Sequence, residues 1–322
     1  MKDFMKAPAP SIGNGIHVTT QELVALEGRA RDLAFMQRAR SHQQLAGRMQ
    51  SSVRGRGLIF EELREYLPGD DVRAIDWRVT ARTRKPVVRV YGEEKERPAI
   101  VVVDQRINMF FGSRFAMKSV AAAQAAMLAA WRILGSGDRV GGFVFNDEDI
   151  SEIKPHRSRN AVIALADRIA EKNGMLKSTY AGAPSPEALD NVLRQVAGVA
   201  HHDFLLVVVS DYDGHGDTTR QLLLELSSRN DVICLLIYDP FMLELPTTGD
   251  IVVSGGALQA ELSFRQAGVR QSIDTFARDR GRELREWQRQ LGLPMLPIST
   301  AEEVAPQLRS LLEQSAWRQR RR

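Results

Sequence analysis

The chain has 322 residues, of which 43% are hydrophobic and 26% charged, and its formal net charge is +4. These values are typical of a soluble globular protein with one large domain or two ordinary ones. The single cysteine, Cys234, excludes a disulfide framework within the chain and fits a reducing compartment. Because it lies in the apolar run VICLLIY, we expect its thiol to be buried rather than nucleophilic.

Two features argue against membrane insertion. The N-terminus, MKDFMKAPAPSIGNG, lacks the apolar stretch of a signal peptide. The longest apolar segment, residues 120–131, is too short to cross a bilayer and is flanked by Lys118 and Arg132. We therefore expect a cytoplasmic protein with no membrane span.

The N-terminal segment, residues 1–50, is predicted to be helical. Thr19-Thr-Gln-Glu22 has the pattern of a capping box, which opens a helix. The predicted helix runs to about Arg40, with a looser stretch to about Gln50. The apolar residues at helical spacing are Leu23, Leu26, Ala30 and Leu33.

Residues 51–97 form a block of dense, mixed charge, with nine acids and eleven bases between Arg54 and Arg97. Because these charges nearly cancel, the block does not have the excess of a basic nucleic-acid face. Residues 86–91 alternate like a strand that can pair with residues 58–66. We interpret the block as a small, charged strand-and-helix cap, which contacts either its own domain or a partner.

Inside this block, a turn and a helix are predicted in succession. Pro68-Gly69 is a turn signal, and Asp70 or Asp71 can cap a following helix that runs through Trp77.

From Ala99 onward, buried strands alternate with amphipathic helices. Such a pattern predicts a mainly parallel sheet covered on both faces, so residues 98–315 are interpreted as one doubly wound, Rossmann-like α/β domain. The predicted strands are residues 99–104, 139–145, 204–211, 232–239 and 295–298. The predicted helices are residues 115–134, 158–171, 185–200, 218–229, 266–291 and 302–314.

The chain ends in a basic tail, residues 316–322, of which the last five hold four positive charges. We interpret this tail as a solvated terminus. A nucleic-acid binder working through it is a weaker alternative, and salt-dependent binding that is lost on deleting residues 318–322 would identify one.

Two predicted strands end on an acid, Asp104 and Asp211. In doubly wound sheets ligands bind beyond the carboxyl ends of the strands, so these carboxylates mark the candidate site.

The signature of residues 55–94 resembles that of the domain of unknown function 58 family (DUF58). That family combines Gly-x-Gly, Phe-x-x-x-Arg-x-Tyr, Pro-Gly-Asp-Asp, Asp-Trp and Ala-Arg motifs ahead of a von Willebrand factor A-like domain. The matching residues are Gly55, Gly57, Phe60, Arg64, Tyr66, Pro68, Gly69, Asp70, Asp71, Arg73, Asp76, Trp77, Ala81, Arg82, Arg89, Tyr91 and Glu94. The resemblance implies a von Willebrand factor A-like fold for residues 98–315 and a MoxR-type AAA+ ATPase as partner, with the chain acting as an adaptor in chaperone-like assembly or envelope-related processes.

Von Willebrand factor A-like domains often carry a metal-ion-dependent adhesion site, whose pattern is Asp-x-Ser-x-Ser, a later Thr and a later Asp. Asp104 matches the first position, but Arg106 and Asn108 replace the two serines. By the resemblance, Thr179 and Asp211 would supply the remaining oxygen ligands. Arg106 cannot ligate a cation and would repel one. We therefore expect a degenerate site without metal, in which Arg106 pairs with Asp104, Asp211 or both.

The remaining motifs do not indicate catalysis. There is no GxxxxGK[ST], HExxH or GxSxG motif. The loop SDYDGHGDTT imitates the first half of a calcium-binding EF-hand, but Leu222 stands where the bidentate Glu belongs. Asp217 or Thr218 is instead expected to cap the next helix.

The predicted function is a non-enzymatic interaction protein without a cofactor. Its presumptive docking face is formed by Asp104, Arg106, Asn108 and Asp211. Two alternatives stay open: a Mg²⁺-binding adhesion module at the same site, or an enzyme that uses the Asp104/Asp211 crevice. Loss of turnover in Asp211→Ala would favour the enzyme.

Overall fold

The computed structural model describes residues 15–33, 58–93, 97–179, 182–242, 250–254, 259–263 and 292–319, with scattered helical positions between 268 and 290. Within the described residues, no helix has both the length and the apolar character to cross a bilayer. The chain divides into a larger unit, Met1–Ala39 with Arg97–Arg322, and a smaller unit, Arg40–Glu96.

The N-terminal helix begins where the capping box predicts and ends early. Thr19 Oγ1 accepts a hydrogen bond from Glu22 N, and the Glu22 carboxylate accepts one from Thr19 N. Helix α1 (Thr20–Ala25) is followed by the short α2 (Glu27–Ala30), and residues 34–40 of the predicted helix lie outside the described residues. Leu33 N bonds Ala30 O in a tighter turn, and the Leu33 carbonyl accepts from Arg132, which ends the helical pattern. The predicted looser stretch lies outside the described residues.

The smaller unit contains an antiparallel hairpin and a short helix. Strand β1 (Leu58–Glu65) pairs with β2 (Val87–Glu93), as the alternating pattern predicts. Gly69 adopts a φ of 107°, which the turn after Pro68 requires and which glycine tolerates without strain. Helix α3 (Trp77–Thr83) lies between the strands in sequence.

The cap of α3 differs from the prediction. Asp76 Oδ1 accepts hydrogen bonds from Arg78 N at 3.0 Å and Val79 N at 3.1 Å, so Asp76 caps this helix. Asp71 instead caps the 3-10 turn Val72–Ala74. Asp70 bonds Leu67 N and pairs with Arg64. The prediction failed because Asp70, Asp71 and Asp76 all precede α3 in the sequence, and spacing alone does not show which of them caps it.

The larger unit is built on a six-stranded sheet in the order β10-β7-β6-β3-β4-β5. Strand β5 runs antiparallel to β4, and the other neighbouring strands are parallel. The predicted mainly parallel sheet is therefore confirmed, with β5 as an unpredicted edge strand. The strands are β3 (Pro98–Asp104), β4 (Arg139–Phe145), β5 (Ile150–His156), β6 (Leu205–Ser210), β7 (Asp231–Tyr238) and β10 (Met295–Ser299).

Helices cover both faces of this sheet, as a doubly wound α/β fold requires. Val101 and Val103 point to a core shared with α4, α5, α8 and the N-terminal segment, whereas Ile100 and Val102 face α6 and α7. Alternate residues of β3 therefore pack into two separate hydrophobic cores, one on each face of the sheet. The helices are α4 (Lys118–Gly135), α5 (Arg159–Met175), α6 (Ala188–Val199), α7 (Asp217–Arg229) and α8 (Val304–Gln319).

Two regions of the larger unit differ from the predicted pattern. Strands β8 (Asp250–Ser254) and β9 (Gln259–Ser263) form an unpredicted hairpin. Helix α8 continues to Gln319 instead of ending at residue 314, so the first residues of the basic tail are helical, and residues 320–322 lie outside the described residues. Of the helix predicted over 266–291, the described positions are helical.

Candidate functional site

The candidate site lies where the order of the strands reverses. The chain passes from β3 to β4 on one side and later returns to β6 on the other side of β3. Asp104 ends β3, and Asp211 follows β6, so both lie at the carboxyl edge of neighbouring parallel strands. A crevice at such a reversal is the usual ligand position in doubly wound sheets. The structure thus brings together the two acids that the strand pattern predicts.

Asp104 and Arg106 form a buried ion pair. Arg106 Nη2 lies 2.7 Å from Asp104 Oδ2, and Arg106 Nε donates to Oδ1 at 3.0 Å. The backbone N–H of Arg106 also donates to Oδ1, at 3.0 Å. Asp104 and Arg106 are 0% and 2% exposed, so the pair is withdrawn from solvent. The expected pairing of Arg106 with Asp104 is therefore present.

Further contacts hold the guanidinium of Arg106 in place. Its Nη1 atom donates to the backbone oxygen of Asp213 at 3.0 Å, and Nη2 lies 3.8 Å from Asp211 Oδ1. Its carbon Cζ lies 5.5 Å from the centre of the Phe145 ring. Burial alone would lower the pKa of Arg106, but the charge and hydrogen bonds of Asp104 outweigh it and raise this pKa. The cation at this position is permanent.

Asp211 is paired with a second basic side chain, Lys118, in addition to the nearby Arg106. Lys118 Nζ, in the first turn of α4, lies 2.6 Å from Asp211 Oδ2. Asn108 Nδ2 donates to the two carboxylate oxygens at 3.0 and 3.1 Å, and Asp213 N donates to Oδ1 at 2.9 Å. Burial raises the pKa of Asp211, but Lys118 and Arg106 lower it more, so the net shift is downward. Sequence reasoning missed Lys118, because it lies 93 residues from its partner.

The turn after β6 aims Asp211 at the site. Tyr212 is fully buried and has a φ of 57°, in the left-handed region that a non-glycine residue seldom adopts. Its hydroxyl donates to Val208 O at 3.0 Å, and its backbone N–H donates to Ser210 Oγ at 2.8 Å. Ser210 Oγ in turn donates to Asp104 Oδ2 at 2.7 Å. The strained turn therefore links the end of β6 directly to Asp104.

Two more carboxylates fasten the loops around the site. Asp147, after β4, accepts hydrogen bonds from Ile107 N at 2.6 Å and Ser185 N at 2.9 Å. Asp239, after β7, accepts from Ser113 N at 2.8 Å and from Thr300 Oγ1 at 2.5 Å. Burial raises the pKa of Asp239, but its hydrogen bonds lower the pKa by more than burial raises it, so the net shift is downward. These bonds order the loops at the carboxyl edge.

The N-terminal segment is attached beside the site through a buried amide relay. Val18 N donates to Asn173 Oδ1 at 2.9 Å, and Asn173 Nδ2 donates to Gln105 Oε1 at 2.9 Å. Gln105 Nε2 then donates to Ser119 O at 3.0 Å. Because Gln105 lies between Asp104 and Arg106 in the chain, this relay supports the backbone that carries the ion pair.

The arrangement does not fit a divalent cation. Arg106 occupies the space between Asp104 and Asp211, and a second positive charge there would be repelled. Thr179, the ligand that the resemblance implies, is exposed in the turn after α5. Within the described residues, no cluster of three or more His, Cys, Asp or Glu side chains is placed to hold a metal ion.

The four residues of the presumptive docking face differ in accessibility. Asp104, Arg106 and Asp211 are buried, and Asn108 is half-buried. The loops around these residues are therefore accessible to solvent, whereas the ion pair itself is not. The exposed residues of those loops include Ser113, Arg114, Glu148, Gly214 and Gly216.

The capping of α7 also differs from the prediction. Gly216 is the N-cap residue, and Asp217 is the first residue of the helix. Thr219 Oγ1 accepts from Gly216 N at 3.1 Å and donates to Asp190 at 2.6 Å. Thr219 therefore takes the capping role that was expected of Asp217 or Thr218, because its hydroxyl also reaches a carboxylate on α6.

The signature residues of the smaller unit form ion pairs among themselves. Arg64 Nη2 lies 2.7 Å from Asp70 Oδ1, and Arg89 Nη2 lies 2.8 Å from Asp76 Oδ2. The hydrogen bonds from these arginines lower the pKa of each aspartate. Trp77 and Arg82, in contrast, are exposed, so part of the signature is free to meet another molecule.

The fold and the site define an α/β protein with a mostly parallel, helix-flanked sheet and a salt-bridged carboxyl edge. The chain belongs to the family described as Protein of unknown function DUF58, whose model matches residues 62–283.

Similar proteins occur in mycobacteria. The chain is 29% identical over 201 residues to the uncharacterized proteins Mb1516 of Mycobacterium bovis and Rv1480 of Mycobacterium tuberculosis. The match covers 62% of this chain and 61% of each relative, so it spans less than two thirds of the relatives' length.

Proposed function

We propose that this protein is a non-enzymatic interaction module of the von Willebrand factor A-like class, in which Arg106 takes the place of the divalent cation. Asp104 ends the first strand of the sheet in chain order, β3, and Asp211 follows the fourth, β6. These are the two positions at which adhesion-type sites carry their aspartates. The topology therefore supports the comparison, although the two serine positions hold Arg106 and Asn108.

One observation supports this function above the alternatives: each acid of the crevice already has its own protein cation. Arg106 neutralises Asp104, and Lys118 neutralises Asp211. A bound divalent cation would need the negative charge of these carboxylates. Arg106 and Lys118 already neutralise that charge. The side chains that would recruit a metal are instead used to stabilise the loops.

The same pairing argues against an enzyme. A general base needs a carboxylate or imidazole with a free lone pair directed at substrate, and a nucleophile needs an adjacent base. Asp104 is enclosed by Arg106 and Ser210, and the Ser210 hydroxyl donates to Asp104 while accepting from Tyr212 N. The proton of this hydroxyl is therefore directed at a carboxylate that is already paired with Arg106. The crevice is a scaffold for loops rather than a reaction site.

By resemblance, the partner is a MoxR-type AAA+ ATPase that meets the loops at the carboxyl edge of the sheet. These loops are held by Asp147, Asp239 and the Arg106 pair, so they present an ordered surface. Pre-ordered loops lose little conformational entropy on binding, which favours a docking role. ATP would be bound by the partner.

Binding to the purified MoxR-type ATPase of the same genome tests this function. The dissociation constant is measured by biolayer interferometry with and without ATP, for the full chain and for Arg114→Glu in an exposed edge loop. We expect binding that Arg114→Glu weakens by about ten-fold or more. Arg139→Glu is the matched control, because Arg139 is an exposed arginine at the opposite end of the sheet.

Two results would reject the proposal. No binding in any nucleotide state would exclude this ATPase as the partner. Equal weakening by Arg114→Glu and Arg139→Glu would show a general charge effect and would exclude docking at the carboxyl edge.

A further inference from the structure

The smaller unit exposes large apolar side chains on the segment that follows β1. Leu67, Val72 and Trp77 are 60%, 58% and 67% exposed. Tryptophan is on average well buried in folded proteins, so an indole two-thirds exposed on a capped helix is unusual. Apolar surface of this kind, rimmed by polar groups, commonly marks a contact with another molecule.

Several arginines lie close to this indole in the sequence. Between Val72 and Arg84 the chain has four arginines and one acid, Asp76. Asp76 is 9% exposed and already paired with Arg89. The four arginines are exposed, and none of them forms an ion pair with another described residue. We name the tryptophan–arginine patch by its members, Arg73, Trp77, Arg78, Arg82 and Arg84.

The fold holds the tryptophan–arginine patch in a defined shape. Asp76 caps α3 through Arg78 N and Val79 N, so the first turn of the helix is fixed. Thr80 Oγ1 accepts a hydrogen bond from Val87 N at 3.0 Å, which ties α3 to β2. A surface that is already ordered loses little entropy when a partner binds.

We propose that the tryptophan–arginine patch docks an acidic face of another protein, with the indole of Trp77 in an apolar pocket and the arginines on carboxylates. Tryptophan and arginine are the residue types that most often supply binding energy at protein interfaces. The planar guanidinium also pairs with a carboxylate through two parallel hydrogen bonds. The four uncompensated positive charges therefore specify the sign of the partner's surface.

Other anionic ligands fit this patch less well. A nucleic acid meets many phosphates at once, and the surrounding block from Arg54 to Arg97 has nine acids against eleven bases. A membrane surface is bound by longer helices with a continuous apolar face, whereas α3 has seven residues. A folded protein can instead place single carboxylates and one apolar pocket where the patch needs them.

This docking surface is additional to the proposed ATPase contact. The tryptophan–arginine patch belongs to the smaller unit, whereas the salt-bridged carboxyl edge belongs to the larger one. An adaptor needs two such surfaces, so the acidic protein would be a second partner, and its binding does not depend on which protein meets the carboxyl edge.

Site-specific cross-linking identifies the partner in the full chain. The photo-reactive residue p-benzoylphenylalanine replaces Trp77 in the native host, and mass spectrometry maps the cross-linked peptide. We expect a peptide of another protein that contains several Asp or Glu residues. That protein is then purified, and its affinity is measured for the wild-type chain, for Trp77→Ala and for the double variant Arg78→Glu/Arg82→Glu.

The expected loss of affinity is about ten-fold or more for each variant, and Arg139→Glu, on the larger unit, should change it less than about two-fold. Acid-to-lysine substitutions in the mapped peptide should restore binding to Arg78→Glu/Arg82→Glu but not to Trp77→Ala. Thermal unfolding of both variants checks that they fold like the wild type.

Several outcomes would overturn the proposal. They are cross-links to lipid, to nucleic acid, to a second copy of this chain or to other residues of the same chain. A mapped peptide without acidic residues, no cross-linked protein at all, or a double variant that binds like the wild type would also overturn it. Failure of ATPase binding to the carboxyl edge would leave these readouts unchanged, so the two ideas fail separately.

Discussion

The guanidinium of Arg106 and the carboxylate of Asp104 share one buried position at the end of β3, with Nη2 and Oδ2 2.7 Å apart. Neither group can be removed alone without leaving the other charged and away from water. Breaking a buried pair in this way costs about 3–5 kcal/mol in other proteins. Loss of Arg106 alone should therefore destabilise the carboxyl edge of the sheet.

Metal addition should leave the wild-type protein unchanged. A ligand that binds the folded state raises the melting temperature with its concentration. Because Arg106 fills the space between Asp104 and Asp211, we expect a flat melting temperature when MgCl₂ or MnCl₂ is titrated into EDTA-treated protein. A rise that Asp104→Ala abolishes would show that Arg106 moves aside, and the metal-binding adhesion module would then be the better description.

Arg106→Ser should lower the free energy of unfolding by about 3–5 kcal/mol, because Asp104 loses its buried cation. The same substitution restores a short hydroxyl next to two carboxylates, so Mg²⁺ should recover part of the loss. Urea unfolding without Mg²⁺ and with about 10 mM Mg²⁺, roughly ten times the dissociation constant of a weak divalent-cation site, measures both effects. Arg139→Ser is the exposed control. An equally stable Arg106→Ser variant would contradict the structural role of the ion pair.

Acid should destabilise the protein partly through Asp211. Its folded-state pKa lies below the unfolded value of about 3.9, so its stabilising contribution is present above that pH and is lost as the pH falls through the folded-state pKa. Asp211→Asn lacks this contribution. The unfolding free energies of the wild type and of Asp211→Asn should therefore differ most near pH 7 and converge below about pH 4. Parallel curves from pH 2.5 to 7, measured by urea titration at about half-unit steps, would contradict the downward pKa shift.

Cys234 should resist thiol reagents in the folded protein. Burial raises the pKa of this thiol to about 11, while the hydrogen bond with Tyr212 offsets part of that rise. At pH 8 the thiolate fraction is then on the order of 200-fold smaller than that of an ordinary cysteine. Absorbance with Ellman's reagent should show one thiol after unfolding in guanidinium chloride and almost none before. Rapid labelling of the native chain would show that β7 opens readily.

Leu23→Ala should test the attachment of the N-terminal segment. Leu23 is 0% exposed and packs in the core that contains α4 and α5. Creating a cavity there should cost about 2–5 kcal/mol of unfolding free energy. Leu224→Ala is the matched control, because Leu224 is 53% exposed and should change stability by less than about 0.5 kcal/mol. If the two variants unfold alike, the segment does not belong to the cooperative core.

In the larger unit, the strands that the sequence predicted are those whose residues are mostly buried. Residues 139–145 coincide with β4, because a continuous apolar run has one simple explanation in a parallel sheet. Strand β5 was missed, since ISEIKPH alternates between half-buried and exposed positions and has no apolar run. The hairpin of β8 and β9 was missed for a related reason: an isolated pair of strands has no helix partner that repeats the α/β pattern.

The site was predictable in position and only partly in chemistry. Acids at the ends of adjacent parallel strands indicated the crevice. The arginine at the first serine position of the adhesion-site pattern indicated that Arg106 pairs with Asp104, Asp211 or both. Lys118 and Ser210 were not predicted, because their partners are distant in the chain and single lysines or serines have no local signature. Burial of Arg106 likewise depends on Phe145, at the end of β4, and on Asp213, after β6, which are distant from it in the chain.

Both outer edges of the sheet carry a proline, and this limits how the protein can associate with others. Pro155 lies in β5 and Pro297 in β10, which are the two edge strands of the six-stranded sheet. A proline lacks the N–H that an added strand would need, and the neighbouring Lys154 places charge on the β5 edge. The sheet is therefore protected against extension by another chain's strand, including the edge-to-edge pairing that leads to aggregation.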